Sequence, residues 1–98
     1  MTPSDALIQA ALDEVRLTLD ELCRTAAVSP QWVTLHIEEG LLPGPAAGRF
    51  DVVALRRVRH LQRLERDFDA VPELAALVVD LQDEIDRLRA RLRRAGLE

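Results

Sequence analysis

Apolar residues recur along this chain at steps of three and four, the spacing of a helix face and not of a strand. Leu7, Ile8, Ala11, Leu12 and Val15 fall on one side of a first helix over about 2–14. Thr2 is placed to cap it, with Pro3 at its first position and Asp5 at its third. Thr18-Leu19-Asp20-Glu21 then has the capping-box form, in which hydroxyl and carboxylate each satisfy a free backbone N–H. The helix it starts runs to about Ala26 and turns Leu22, Cys23 and Ala26 inward. Arg16 and Leu17, just before it, read as a short extended segment. Ser29 and Pro30 restart the chain as another helix, which Gly40 ends. About three residues separate these two helices, which is the helix-turn-helix arrangement.

Residues 42–48, Leu-Pro-Gly-Pro-Ala-Ala-Gly, cannot be helical, and a small two-stranded wing fits around them. Asp51 caps the next helix, with Val58, Leu61, Leu64 and Phe68 on its apolar side and Arg56, Arg59, Arg63 and Arg66 in one basic stripe. Pro72 breaks that pattern. The last helix, about 73–95, carries Leu74, Val78, Leu81, Ile85, Leu88, Leu92 and Ala95 as a heptad seam. Branched Val78 and Ile85 at a, with leucine at d, favour two parallel strands, and Glu84 could then pair with Arg89 across the dimer. An antiparallel pair, or packing of the seam on the chain's own earlier helices, is the alternative.

Composition sharpens this picture. At 98 residues the chain is one domain with a marginal core, so a partner subunit is expected to supply burial. Three aromatics, Trp32, Phe50 and Phe68, are too few for a stacking platform for single strands. The net charge of −4 is unevenly placed. Residues 1–49 hold seven acids against three arginines, whereas residues 50–98 hold ten of each. The helix-turn-helix half is therefore the acidic one, the reverse of what phosphate binding needs. Cys23 is alone and can form no internal disulfide. No stretch reaches the roughly 20 apolar residues of a membrane span, and the first residues do not form a signal peptide. A cytoplasmic protein is expected.

Catalysis finds no support. His36 and His60 have no ligand partners at metal spacing, no serine sits in a nucleophile turn, and Gly44 and Gly48 form no phosphate-binding loop. No enzyme, metal or cofactor is expected.

The segment LTLDELCRTAAVSPQWVTLHIEEGLLPGP resembles the opening of MerR-type regulators, and RFDVVALRRVRHLQRLERDF resembles the stretch after their wing. The order of elements implies an all-α, MerR-like winged helix-turn-helix with a long C-terminal dimerisation helix. Its parts are an N-terminal helix or arm (1–16), a core (17–70) and a coiled-coil helix (71–98). LTLDELC, the WV…IEEGLL segment and the DLQDEIDRLRARL tail are similar to the chaperone-modulator branch, CbpM. Arg49 stands where that branch has a tryptophan. The resemblance implies binding to the J-domain of a DnaJ-like co-chaperone and restraint of its work with a DnaK-type chaperone.

The second helix of the pair bears on this choice. A reading helix presents Arg, Lys, Asn or Gln to base edges. This one offers Gln31, Thr34, His36, Glu38 and Glu39, so DNA binding is not expected from it. The stripe Arg56, Arg59, Arg63 and Arg66 is the alternative DNA-binding surface, unless it is a solvated face paired with Glu65, Asp67 or acids of the last helix. J-domains of that family present a basic helix, which acids would suit through charge complementarity. The candidates are Asp20, Glu21, Glu38 and Glu39, with Asp80, Asp83 and Asp86 on the tail. Exposed pairs contribute only about 0–1 kcal/mol each, so an apolar anchor is also needed. Trp32 is either that anchor or a core residue holding the two helices together. Val78, Leu81, Ile85, Leu88 and Leu92 are the dimerisation candidates.

Overall fold

The computed structural model describes residues 3–97. Five helices follow one another: α1 (Pro3–Asp13), α2 (Leu19–Ala26), α3 (Pro30–Glu38), α4 (Val52–Phe68) and α5 (Pro72–Arg94). The start signals operate as their chemistry requires. The Thr18 hydroxyl accepts from the Glu21 N–H at 3.2 Å, and the Glu21 carboxylate accepts from the Thr18 N–H at 2.9 Å. Ser29 accepts from the Trp32 N–H at 3.0 Å, and Asp51 from the Ala54 N–H at 2.9 Å. Thr2, the expected cap of α1, lies outside the described residues.

Left-handed residues stop α2 and α4, at Ala27 (φ 57°) and Asp69 (φ 51°). Beyond α3 the chain turns at Gly40, whose φ of 75° suits glycine because no Cβ meets the following carbonyl. Pro72 opens α5 at a position where a missing N–H costs nothing.

One core joins the helix-turn-helix to α4: Leu22, Val33, Leu42, Phe50, Ala54 and Val58 are buried together. A second joins α4 to the start of α5, with Leu61 against Ala75, Ala76 and Val79. The small alanines let the two helices approach closely. Arg57 pins the same junction. Its Nε donates to the Leu41 carbonyl at 2.8 Å and its Nη1 to Asp80 Oδ1 at 2.8 Å.

Three expectations need revision. The wing is not a pair of strands. Leu17 and Phe50 exchange two backbone bonds of 2.7 Å, and Ala46 and Arg49 exchange two of 3.0 Å around a turn at Ala47 and Gly48. Two prolines and two glycines in residues 42–48 leave too few donors and too little stiffness for a longer ladder. Phe68, expected on the buried side of α4, is 72% exposed. It is the last residue of its helix, and the chain turns away after it toward α5. His36, expected on the face of α3 that a DNA reader presents, is 2% exposed and lies on the inner side of that helix.

Candidate functional site

The outward side of α3 carries Gln31, Thr34, Leu35 and Glu38, with Glu39 at its C-terminal cap, and all five are exposed. Their placement follows from the opposite side of the helix, where Val33 and His36 are buried. Glu38 and Glu39 make no ion pair among the described residues. The face that a DNA-reading helix would present is therefore negative, and no arginine neutralises it. On α2, Glu21 is drawn toward Arg49 at 3.7 Å. Its carboxyl is held below the ordinary 4.5, mainly by the bond from the Thr18 backbone N–H.

Trp32 is not on that outer face. It is partly buried between the two cores, its ring stacked on His36 with centroids 3.7 Å apart. Its indole N–H donates to Glu65 Oε1 at 3.3 Å. His36 is 2% exposed; its Nδ1 lies 2.7 Å from the Trp32 carbonyl and its Nε2 lies 2.8 Å from Glu65 Oε2. These contacts latch α3 onto α4 through one carboxylate, rather than holding α3 to α2 alone. The cluster was hidden in the sequence. The Trp32–His36 spacing of four could have revealed one half, but nothing local points to Glu65, 29 residues beyond His36.

The arginine stripe of α4 is divided. Arg59 donates to the Thr25 carbonyl at 3.3 Å, and Arg66 pairs with Asp67 at 3.0 Å. Arg56 and Arg63 are exposed and make no ion pair among the described residues. Glu65, expected to offset the stripe, faces His36 and Trp32 instead. The tail acids also divide. Asp80 is held by Arg57, and Asp83 lines a depression with Arg56, Arg57 and His60. Asp86 is exposed. Asp80 and Asp83 thus sit beside α4 arginines, which screen them, while Glu38 and Glu39 stand open on α3.

The seam of α5 begins beside α4, where Leu74 and Val78 line an apolar depression with Leu64 and Phe68, and is open beyond it. Leu74, Leu81, Ile85, Leu88 and Leu92 are between 42% and 55% exposed, and Val78 is half-buried. Ala75, Ala76 and Val79 take up the inner side, and from Leu81 onward the seam is left uncovered by the chain's own described helices. Glu84 is hydrogen-bonded to Arg87, three residues on in the same helix.

Among the described residues no group of three or more His, Cys, Asp or Glu could hold a metal, and no helix is long and apolar enough to cross a membrane. Cys23 is buried, and desolvation pushes its thiol up, away from the reactive thiolate. No curated protein and no solved structure matched the chain. A family model did match, over residues 17–95, from the extended segment before α2 to the residue after α5. With an all-helical architecture, a helix-turn-helix core and a match over most of its length, the chain belongs to the family described as MerR HTH family regulatory protein.

Proposed function

We propose that this chain is a chaperone modulator, in which the helix-turn-helix serves as a scaffold for binding a protein. It holds the J-domain of a DnaJ-like co-chaperone and keeps it from stimulating a DnaK-type chaperone. The observation that carries this reading is the state of α3: Glu38 and Glu39 are exposed and unneutralised where a DNA reader needs cations. Such a surface repels phosphate and suits a basic helix, speeding encounter and fixing register. Inhibition of this kind needs no bond-making, only competition for one surface. The uncovered seam of α5 supports a homodimer that presents two such faces.

Pull-down with the cognate J-domain tests it. Wild type is expected to retain the J-domain, and Glu38→Lys with Glu39→Lys to release it. Failure of wild type to bind at low salt overturns the reading.

A second reading, a transcription regulator, draws on Arg56 and Arg63. Two phosphate contacts per protomer give a salt slope of about −1.8, so affinity falls roughly tenfold per protomer between about 50 and 200 mM salt. Titration with duplex DNA over that range distinguishes the two. Tight binding with at least this salt dependence favours the regulator, and no binding at the lowest salt favours the modulator.

A further inference from the structure

The acids of α3 are one rim of a longer feature. Two shallow depressions on the α2–α3 face both reach Pro30. One holds Asp20, Arg24 and Val28; the other holds Leu35 and Glu38. The two meet at Pro30 and make a shallow, open groove, its second half walled by α3 alone, with Val28, Pro30 and Leu35 as its apolar residues. A carboxylate stands in each half, and neither Asp20 nor Glu38 makes an ion pair among the described residues. Arg24 is the single cation along it. Leu35 is 49% exposed, although it sits in a helix whose other side is tightly packed.

We propose that this groove takes a basic amphipathic helix, and that Leu35, not Trp32, is the apolar anchor on which a side chain of that helix seats. The proposal rests on the function proposed above and assigns where the partner docks. Trp32 cannot serve as the anchor, because its ring is stacked on His36 and its N–H is held by Glu65. An extended peptide has nothing to join, because no strand edge is available among the described residues. A helix laid in a groove needs what this face offers, an apolar strip with polar groups on either side. α3 has nine residues, about 13 Å of helix at 1.5 Å per residue, so the contact spans two to three turns of the partner. The sign of the rims selects lysine and arginine on that partner. An apolar centre ringed by charge is also how binding energy concentrates in protein interfaces, with affinity set at the centre.

The test titrates the purified cognate J-domain against wild type, Leu35→Ala, Leu35→Gln and Glu38→Gln. Val53→Ala, an exposed apolar residue of α4, is the control. Circular dichroism and sedimentation accompany each variant. Both Leu35 variants are expected to keep full helicity and to bind about tenfold more weakly, the scale of a central contact residue. That loss should persist at high salt. The Glu38→Gln loss should shrink as salt screens it, and Val53→Ala should bind as wild type. Wild-type binding with Leu35 variants within twofold of it overturns the groove and leaves the proposed function standing. If wild type does not bind the J-domain, that function falls, and a 14-residue Leu/Lys helical peptide tests the groove alone. Amide shifts confined to residues 20–38 and abolished by Leu35→Gln support it; no shifts there overturn it. A change of oligomeric state in Leu35→Gln also overturns it, because the groove is then filled by a second copy.

Discussion

Replacing Glu65 with alanine is the sharpest test of how the helix-turn-helix is held in place. The carboxylate receives the indole N–H of Trp32 at 3.3 Å and faces Nε2 of His36 at 2.8 Å. His36 is 2% exposed, so water cannot readily replace the lost partner. A buried polar group left unsatisfied costs about 1–3 kcal/mol, and more where charge is involved. Trp32 is only partly buried and adds less. The expected loss is about 2–3 kcal/mol, a large part of the roughly 5–15 kcal/mol that holds a domain together. In urea that moves the midpoint down by about 0.7–3 M, for a slope of about 1–3 kcal/mol per M. Measurements belong at one fixed protein concentration, since the stability of any chain that self-associates depends on it. Glu65→Gln adds an internal control. Its amide oxygen can still accept from Trp32, and its NH2 can donate to Nε2 while the Nδ1–H donates to the Trp32 carbonyl. That variant is expected to lose about 1 kcal/mol or less. Less than about 0.5 kcal/mol lost in Glu65→Ala, or a glutamine variant no better than alanine, refutes the latch.

Three further outcomes are expected. Ala47 and Gly48 have φ of 52° and 73°, the conformation of a type I′ turn, which favours Asn-Gly; Ala47→Asn should gain about 0.5–1 kcal/mol and raise the melting temperature by a few degrees. The Glu21 carboxyl is held below 4.5 by its Thr18 bonds, so its contribution is complete above that pH and is lost as pH falls through the lower folded value; Glu21→Gln should flatten this part of an acid titration followed by circular dichroism. Ile85→Asp places a charge in the middle of the α5 seam, and sedimentation should report monomer if the seam joins two copies, whereas unchanged mass removes the dimer from the proposal.

Much of the fold could be read along the chain because its signals are local. Thr18, Ser29 and Asp51 each act within three residues, and the caps formed where expected. Glu38 and Glu39 were legible as exposed acids, whereas His36, expected on the same outer face, is buried because its ring is claimed by Trp32 and Glu65. What escaped depends on contacts between distant residues. Glu65 reads as one more charge on an arginine-rich helix until α3 is laid against α4. Arg57 lies off the stripe formed by Arg56 and Arg59, and nothing near it in sequence indicates that it caps the Leu41 carbonyl. The wing failed for the opposite reason. Its loop composition was informative about turns but says little of how many backbone pairs form on either side.

Arg57 has a mechanical consequence. One guanidinium grips both the carbonyl of Leu41, three residues past the end of α3, and Asp80 in the third turn of α5. Tilting the tail helix therefore strains the hinge behind α3 instead of being absorbed by slack in between. In a pair of chains joined through their tails, the angle at which the tails cross fixes the separation and aim of the two outer α3 surfaces. A ligand that spans both would sense that geometry as a ruler of set length, and loosening the grip at residue 57 would blur its graduation without altering either surface.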